Sequence, residues 1–153
     1  MTEIQAPSPF PFEDQFYLFL AGSIEMGVAE QWQRKVVRLL ANTDITILNP
    51  RRDDWDASWD QSLASPNFVE QVRWEQEGLR MADIILFYFD KNTMSPITLM
   101  ELGMAIARDP DRIVVVCPEG YWRKGNVDVV CMDNDVYVAS TLVDAVIQIK
   151  RMM

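Results

Sequence analysis

Residues 81–108, MADIILFYFDKNTMSPITLMELGMAIAR, decide the fold of this chain. They begin with a continuous apolar run, residues 84–89, which is typical of a strand buried on both faces of a parallel sheet. Ser95 and Pro96 then predict the start of a helix, with Ser95 as N-cap and Pro96 in the first helical position. Since ligands bind beyond the carboxyl ends of parallel strands, we expect the functional site here.

The rest of the chain repeats this alternation of strand and helix. Apolar runs predict strands at residues 16–21, 45–48, 112–117 and 136–138. Helical periodicity predicts helices at 28–40, at 68–81 and after an N-cap at Ser140, whereas 127–132 fits either a helix or an extended segment. The alternation indicates an α/β fold, a flavodoxin-like three-layer sandwich with a five-stranded parallel sheet.

Domain organisation follows from length and from the position of the prolines. The chain has 153 residues, enough for one domain with a substantial core. Residues 1–15 contain three prolines and are expected to form an irregular N-terminal leader. Residues 16–153 then form a single domain.

Composition excludes several classes of function. The net charge is −9 and the 14 basic residues are scattered, which argues against nucleic-acid polymers and anionic membranes as partners. The N-terminus lacks a signal sequence and no apolar stretch reaches the length of a membrane span, so we expect a cytoplasmic protein. Small nucleosides and nucleotides remain compatible with this composition.

The chain contains no histidine. This excludes Ser-His and Cys-His nucleophile pairs and histidine-ligated zinc within one subunit. No cluster of metal ligands and no dinucleotide or triphosphate loop motif is present, so we expect neither a metal nor an organic cofactor. Proton transfer then falls mainly to carboxylates.

Two glutamates are the candidate catalytic groups. Glu101 lies in the helix that follows the apolar run, and Glu75 borders the apolar face of the preceding helix. Two carboxylates facing one cleft are typical of glycosidic-bond chemistry. The competing interpretation is an ordinary helix glutamate paired with Arg80 or Arg108, and spacing alone favours that interpretation.

Other candidate residues lie at the ends of strands. Gly22 and Ser23 follow the first strand in a small-residue turn that permits close approach of a ligand. Asp54 lies in a long loop rich in tryptophan, and long irregular loops in compact domains are often functional. Either a surface loop or a loop that covers the substrate or contacts another subunit fits this segment, and its two tryptophans favour the latter.

Four segments together resemble the nucleoside 2-deoxyribosyltransferase-like family. They are FLAGSIEMG, NPRRDDWD, EQVRWEQEGLRMADIILFYF and TLMELGMAIA, which occur in this order, and the resemblance covers roughly residues 16–126. It implies a flavodoxin-like fold and transfer of a 2-deoxyribosyl group between nucleobases, with retention at C1′. Relatives hydrolyse the N-glycosidic bond of deoxynucleoside 5′-monophosphates instead.

The resemblance also implies roles for individual residues. Glu101, in the E-L-G motif, corresponds to the nucleophile that forms a covalent deoxyribosyl intermediate. Glu75 corresponds to the acidic residue, more often aspartate, that handles the base and its proton. Asn126 corresponds to an asparagine donated into a neighbouring subunit, which implies a homo-oligomer with shared sites. Gly22 and Ser23 match the turn that lines the sugar pocket.

One position departs from the family pattern. Ser95 stands six residues before Glu101, where the transferases carry an aspartate that contacts the sugar hydroxyls. Three functions therefore follow as hypotheses: a deoxyribosyltransferase first, then a deoxynucleotide N-glycosidase, and finally a non-catalytic nucleotide sensor. The partners are small nucleosides or deoxynucleotides and free nucleobases. A receiver-type signalling domain is disfavoured, because the first strand ends in Ala-Gly-Ser rather than in clustered acids.

Overall fold

The computed structural model describes residues 1–11, 15–24, 30–52, 54–56 and 58–153. Three parts of the sequence prediction lie partly outside this description. They are the leader at residues 12–14, the start of the first helix at residues 25–29, and the tryptophan-rich loop at residues 53 and 57. The described residues contain six strands, named β1 to β6 in chain order: Thr2–Gln5, Tyr17–Gly22, Thr46–Asn49, Ile84–Tyr88, Ile113–Val116 and Tyr137–Ala139. All six join one parallel sheet in the order β1-β3-β2-β4-β5-β6.

Five α-helices cover the two faces of this sheet in the described chain. They are α1 to α5 in chain order: Trp32–Leu39, Pro66–Met81, Pro96–Arg108, Lys124–Asp133 and Leu142–Met152. Side chains of α1 and α5 form one core layer with the sheet, and side chains of α2, α3 and α4 form the other. The predicted α/β architecture is confirmed, and each helix is too short or too polar to cross a membrane within the described residues.

Strand β4 shows why a continuous apolar run is needed. Ile84 and Leu86 pack into the α1–α5 layer, whereas Ile85 and Phe87 pack into the layer of α2, α3 and α4. All five residues of the strand are buried. A strand in the middle of a doubly covered sheet has no face on which polar residues could meet water.

The sheet has one strand more than the five that the sequence predicts. Strand β1 lies within the predicted irregular leader and pairs in parallel with β3, the register starting at Thr2 opposite Thr46. Downstream of β1 the leader packs on α2, where Trp74 donates a hydrogen bond to the carbonyl of Ser8 (2.7 Å) and stacks at 4.8 Å on Phe10. Of the four residues of β1 only Ile4 is buried, so the strand carries little of the apolar signal by which strands are recognised.

Several helix boundaries also differ from the sequence prediction. Helix α2 begins at Pro66 rather than at residue 68, and α1 begins at Trp32, after residues 30 and 31 of the predicted helix 28–40. The ambiguous segment 127–132 belongs to α4, which begins at Lys124 and therefore places Asn126 in a helix rather than in a loop. Helix α5 has Thr141 as N-cap instead of Ser140, because the Thr141 hydroxyl accepts the backbone N–H of Asp144 (3.1 Å). Either hydroxyl satisfies the sequence rule for a cap, so the rule alone does not choose between neighbours.

Without β1, the strand order is that of a flavodoxin-like sheet. Its direction of growth reverses between β2 and β4, and this is where such folds bind ligands. Gly22 ends β2 so close to β4 that a methyl group there would overlap the carbonyl oxygen of Tyr88. Small residues at this point therefore keep the two strand ends together and open a crevice beyond them.

A matched pair of glycine substitutions tests how tightly α2 is pressed on the sheet. A methyl group at Gly78 would overlap the buried ring of Phe19, whereas one at Gly103 meets open space. We expect Gly78→Ala to lower the free energy of unfolding by about 1–2 kcal/mol, since overpacking costs about 1–3 kcal/mol and the gain in helix propensity offsets part of it. Gly103→Ala should raise it by about 1 kcal/mol. Urea denaturation of both variants measures the two values, and equal shifts would contradict the close packing of α2.

Candidate active site

Helix α3 carries Glu101 on the flank that faces α2. The carboxylate is partly buried and lines a small cavity of about 40 Å³ together with Leu79 of α2 and with Met104 and Ala105 of α3. Glu101 and Ala105 share this flank because residues four apart in a helix lie above one another. The apolar neighbours remove water from the carboxylate.

Helix α2 holds Glu75 against the same region. Its Oε1 accepts a hydrogen bond from Nε2 of Gln71, one helical turn earlier, at 2.9 Å. Gln71 is itself only 4 % exposed and also donates to the carbonyl of Pro50 at 2.9 Å. The amide therefore fixes one oxygen of Glu75 and ties it to the loop after β3.

The two carboxyl groups influence each other electrostatically. Burial raises the pKa of Glu101 to about 8, and the negative charge of Glu75 adds to this shift. Burial also raises the pKa of Glu75, while the hydrogen bond from Gln71 opposes that shift. A carboxyl group with a pKa of about 8 holds its proton at neutral pH, so Glu101 is the protonated member of the pair there. Two carboxyl groups in different surroundings can divide the roles of nucleophile and proton donor once this proton moves to Glu75.

The competing interpretation, a glutamate paired with an arginine, has no support in the geometry. Arg80 pairs with Glu77 on its own helix, and Arg108 lines the Glu101 cavity without joining an ion pair to any described residue. Within the described residues, Glu101 takes part in no salt bridge. The partly buried charge is therefore not neutralised by a structural partner.

Gly22, Ser23 and Ser95 lie together at the crevice between β2 and β4. Ser23 is 1 % exposed and Ser95 is 4 % exposed, and their hydroxyl oxygens are 2.5 Å apart. Ser95 occupies the N-cap position of α3, but its side chain forms no capping hydrogen bond. Both serine hydroxyls are thus directed inward, beneath the crevice rather than into it.

Asp54 forms a salt bridge with Arg52 in its own loop. Nε and Nη2 of Arg52 donate to its two oxygens at 2.8 and 2.9 Å, and the Asp54 side chain remains 70 % exposed. In the same loop Trp55 packs edge-on against Trp59 at 5.1 Å, and Arg52 lies over the Trp59 ring. The tryptophans are therefore partly buried by their own loop.

Asn126 lies on the opposite flank of α3 from Glu101. It is exposed in the first turn of α4 and lines a groove of about 350 Å³ with Leu99, Gly103 and Val130. Between this groove and the Glu101 cavity, α3 presents a ridge of exposed apolar side chains. We call this the α3 ridge: Met94, Ile97, Met100 and Met104, which are 58 %, 57 %, 54 % and 39 % exposed.

A family model for nucleoside 2-deoxyribosyltransferase-like proteins matches residues 15–121, more than half of the chain. The chain belongs to this family. No curated protein matches the sequence. The matched region includes both glutamates, the serines and Asp54, whereas Asn126 lies beyond its end.

Two polar residues of this 2-deoxyribosyltransferase-like site were missed by the sequence analysis. Gln71 precedes Glu75 by one helical turn, and the i, i+4 spacing is a signal from which it could have been found. Thr93 lies in the loop after β4, where its hydroxyl contacts those of Ser23 (3.0 Å) and Ser95 (2.8 Å). Its neighbours in sequence give no indication of that contact.

The raised pKa of Glu101 predicts a stability effect with a defined sign. Between about pH 4.5, the ordinary value, and pH 8, the folded protein holds a proton on Glu101 that the unfolded chain has lost. This carboxyl group therefore makes the folded state less stable as pH rises through that window. We expect the free energy of unfolding of Glu101→Gln, relative to the parent protein, to increase steadily from pH 5 to about pH 8.

Denaturation in urea at several pH values measures this difference. The matched control is Glu119→Gln, the same change at a side chain that is 92 % exposed, which corrects for the loss of one negative charge. A stability difference for Glu101→Gln that follows the control at every pH would contradict the burial of Glu101.

Proposed function

We propose that this protein transfers a 2-deoxyribosyl group from one nucleobase to another through a covalent intermediate on Glu101. The observation that carries the proposal is the carboxyl pair: Glu101 is partly buried, joins no salt bridge within the described residues, and lies close enough to Glu75 for that charge to raise its pKa. Family membership supports glycosyl transfer, and the pair supplies the two groups that such a reaction requires.

Before the first step, the proton that Glu101 holds at neutral pH passes to Glu75. The Glu101 carboxylate then attacks C1′ of the deoxynucleoside. A bond forms between C1′ and a glutamate oxygen while the C1′–N bond to the base breaks, and its electron pair stays on the base. Glu75, in its protonated state, donates a proton to the departing base. Its orientation by Gln71 leaves the second carboxyl oxygen available for this donation.

In the second step an incoming base attacks C1′ from the opposite side and the bond to Glu101 breaks. Glu75, now ionised, accepts the proton that the new base loses. Two inversions at C1′ give net retention. The reaction is ping-pong, because the first base leaves before the second one binds, and no step requires a metal or an organic cofactor.

We further propose a homo-oligomer in which Asn126 completes the site of a neighbouring subunit. Within one chain, α3 separates Asn126 from the Glu101 cavity, so Asn126 does not reach its own nucleophile directly. The α3 ridge lies between the two, and an exposed apolar surface of this kind is typical of an interface. Contact between two such ridges would bring Asn126 of one subunit near Glu101 of the other.

A hydrolase is the second candidate, and one observation favours it. Arg80, Arg108 and Arg112 line the cavity that contains Glu101. Guanidinium groups bind phosphate well, so these side chains could hold the 5′-phosphate of a deoxynucleoside monophosphate while water replaces the incoming base. The hydrolase uses Glu101 and Glu75 in the same roles.

An exchange assay separates the candidates. Purified protein is incubated with 2′-deoxyinosine or thymidine plus adenine and, in parallel, with deoxynucleoside 5′-monophosphates, and products are separated by chromatography. Formation of 2′-deoxyadenosine establishes the transferase. Release of free base from the monophosphates without exchange establishes the hydrolase instead. Absence of both reactions contradicts both candidates and favours a nucleotide sensor.

Substitution of the two glutamates should then give distinct losses. We expect Glu101→Gln to abolish turnover and to prevent a mass increase of one deoxyribosyl group on the protein after quenching with acid. Glu75→Gln should retain the covalent adduct but slow its formation by about 10²–10⁴-fold, the usual contribution of a general acid. Glu119→Gln, the same change at a side chain that is 92 % exposed, is the control. Full activity of Glu101→Gln would disprove the assigned nucleophile.

Mixing two inactive variants tests whether Asn126 acts across subunits. Glu101→Gln and Asn126→Ala are co-expressed with different tags, and assemblies that carry both tags are isolated. In a two-fold symmetric pair, one of the two sites then has both residues intact, so about half of the parent activity should return. If Asn126 acted within its own subunit, each site would lack one residue and no activity would return.

A further inference from the structure

Three buried hydroxyl groups meet beneath the crevice between β2 and β4. Ser23, Thr93 and Ser95 are 1 %, 4 % and 4 % exposed. Their oxygens form a triangle, with 2.5 Å between Ser23 and Ser95, 2.8 Å between Thr93 and Ser95, and 3.0 Å between Thr93 and Ser23. We call these three residues the hydroxyl triad. They join the end of β2 to the residues that precede α3.

Backbone groups of both strand ends anchor the triad. The N–H of Asp90 donates to Oγ of Ser23 at 2.9 Å, and the Thr93 hydroxyl lies 2.9 Å from the carbonyl oxygen of Asp90. The N–H of Ser23 donates in turn to the carbonyl of Tyr88 at 2.9 Å. The triad is therefore bonded to the ends of β2 and β4, the two central strands of the sheet.

Counting protons shows what the triad can and cannot do. Each hydroxyl group has one proton to donate. The triad has three protons, whereas the three contacts inside the triangle and the contact of Thr93 with the Asp90 carbonyl make four. These contacts therefore share the three protons, and the Thr93 hydroxyl lies within reach of both Ser23 and the Asp90 carbonyl.

The backbone of Ser95 is held in an unusual conformation. Its φ and ψ are 46° and 51°, in the left-handed region, which is unfavourable for a residue other than glycine. Pro96 follows directly and starts α3. The Ser95 side chain forms no capping bond and contacts Ser23 and Thr93 instead.

We propose that the hydroxyl triad is a positioning element that aims α3, and thereby Glu101, at Glu75. This inference rests on the catalytic role proposed for Glu101. Six residues separate Ser95 from Glu101, roughly 9 Å along a rigid helix, so a small rotation at Ser95 displaces the carboxylate. Displacements of about 1 Å in a catalytic group are enough to slow an enzyme substantially.

The test removes one hydroxyl group at a time and keeps the side-chain shape. Thr93→Val and Ser95→Ala are expected to lower kcat by about ten- to a hundredfold with little change in KM. Thr93→Ser, which restores a hydroxyl group, should recover most of the loss. The matched control is Thr98→Val, the same change at a buried threonine of α3 that lies outside the triad.

A second measurement does not depend on turnover. The Glu101 carboxyl group is titrated by carbon-13 NMR in protein labelled at glutamate, with Glu101→Gln to assign the signal. In Thr93→Val and Ser95→Ala the Glu101 pKa should fall below the parent value of about 8, because the displaced carboxylate gains water and moves away from Glu75. A protein that catalyses neither reaction would disprove the proposed function, while this titration would still test the positioning.

Two outcomes would overturn the inference. If the variants lower Tm but leave both kcat and the Glu101 titration unchanged, the triad only stabilises the fold. If Ser95→Gly, which adopts the left-handed conformation without strain, has the kcat and the titration of the parent, the backbone conformation and not the hydroxyl group positions α3. We expect Ser95→Gly to lower kcat and the Glu101 pKa as much as Ser95→Ala does.

Discussion

Burial of β4 on both faces leaves its backbone N–H and C=O groups without access to water, so they must pair with the neighbouring strands. On one side that neighbour is β2, in a register that runs from Leu18 opposite Ile84 to Gly22 opposite Tyr88. The strand order reverses at this pair, so the helices that follow β2 and β4 lie on opposite faces of the sheet. A crevice must form beyond the two strand ends, and the side chains that follow Gly22 and Tyr88 become its floor.

The carboxyl pair shows the usual tension between stability and function. Burial of Glu101 without a cation opposes ionisation, and Glu75 opposes it further. An arginine in contact would relieve this cost, and Arg80 and Arg108 line the same cavity. Arg80 is instead paired with Glu77, so it does not relieve the cost of ionising Glu101. A paired glutamate would be a weaker nucleophile, since part of its negative charge would already be compensated.

The sequence predicted those parts of the fold whose pattern lies in neighbouring residues of the chain. The run 84–89 predicted β4 correctly because a doubly buried strand leaves a continuous apolar pattern. Strand β1 was missed because an edge strand has one neighbour and needs few buried residues, and only Ile4 is buried in it. The prolines that follow β1 strengthened the wrong prediction of an irregular leader.

The same distinction applies to the candidate site. Helical periodicity placed Glu75 at the border of an apolar face, but spacing alone favoured an ordinary paired glutamate at Glu101, and the roles of both came from the family resemblance. Ser95 was correctly placed at the start of α3 but given the wrong local role, since its hydroxyl contacts Ser23, 72 positions earlier in the chain, rather than capping the helix. Thr93 depends on the same long-range contact. Contacts between distant residues follow from the strand order, which periodicity does not contain.

Helix α3 also connects the proposed oligomer with the choice between a base and water as the acceptor of the deoxyribosyl group. Its exposed ridge borders the Glu101 cavity through Met104, which belongs to both. In the proposed oligomer a second subunit would cover this ridge and remove water from the mouth of the cavity. A deoxyribosyl–Glu101 ester reacts with whichever nucleophile reaches C1′, so excluding water favours transfer to a base over hydrolysis. A subunit whose ridge remained open would, by the same argument, hydrolyse more of its intermediate.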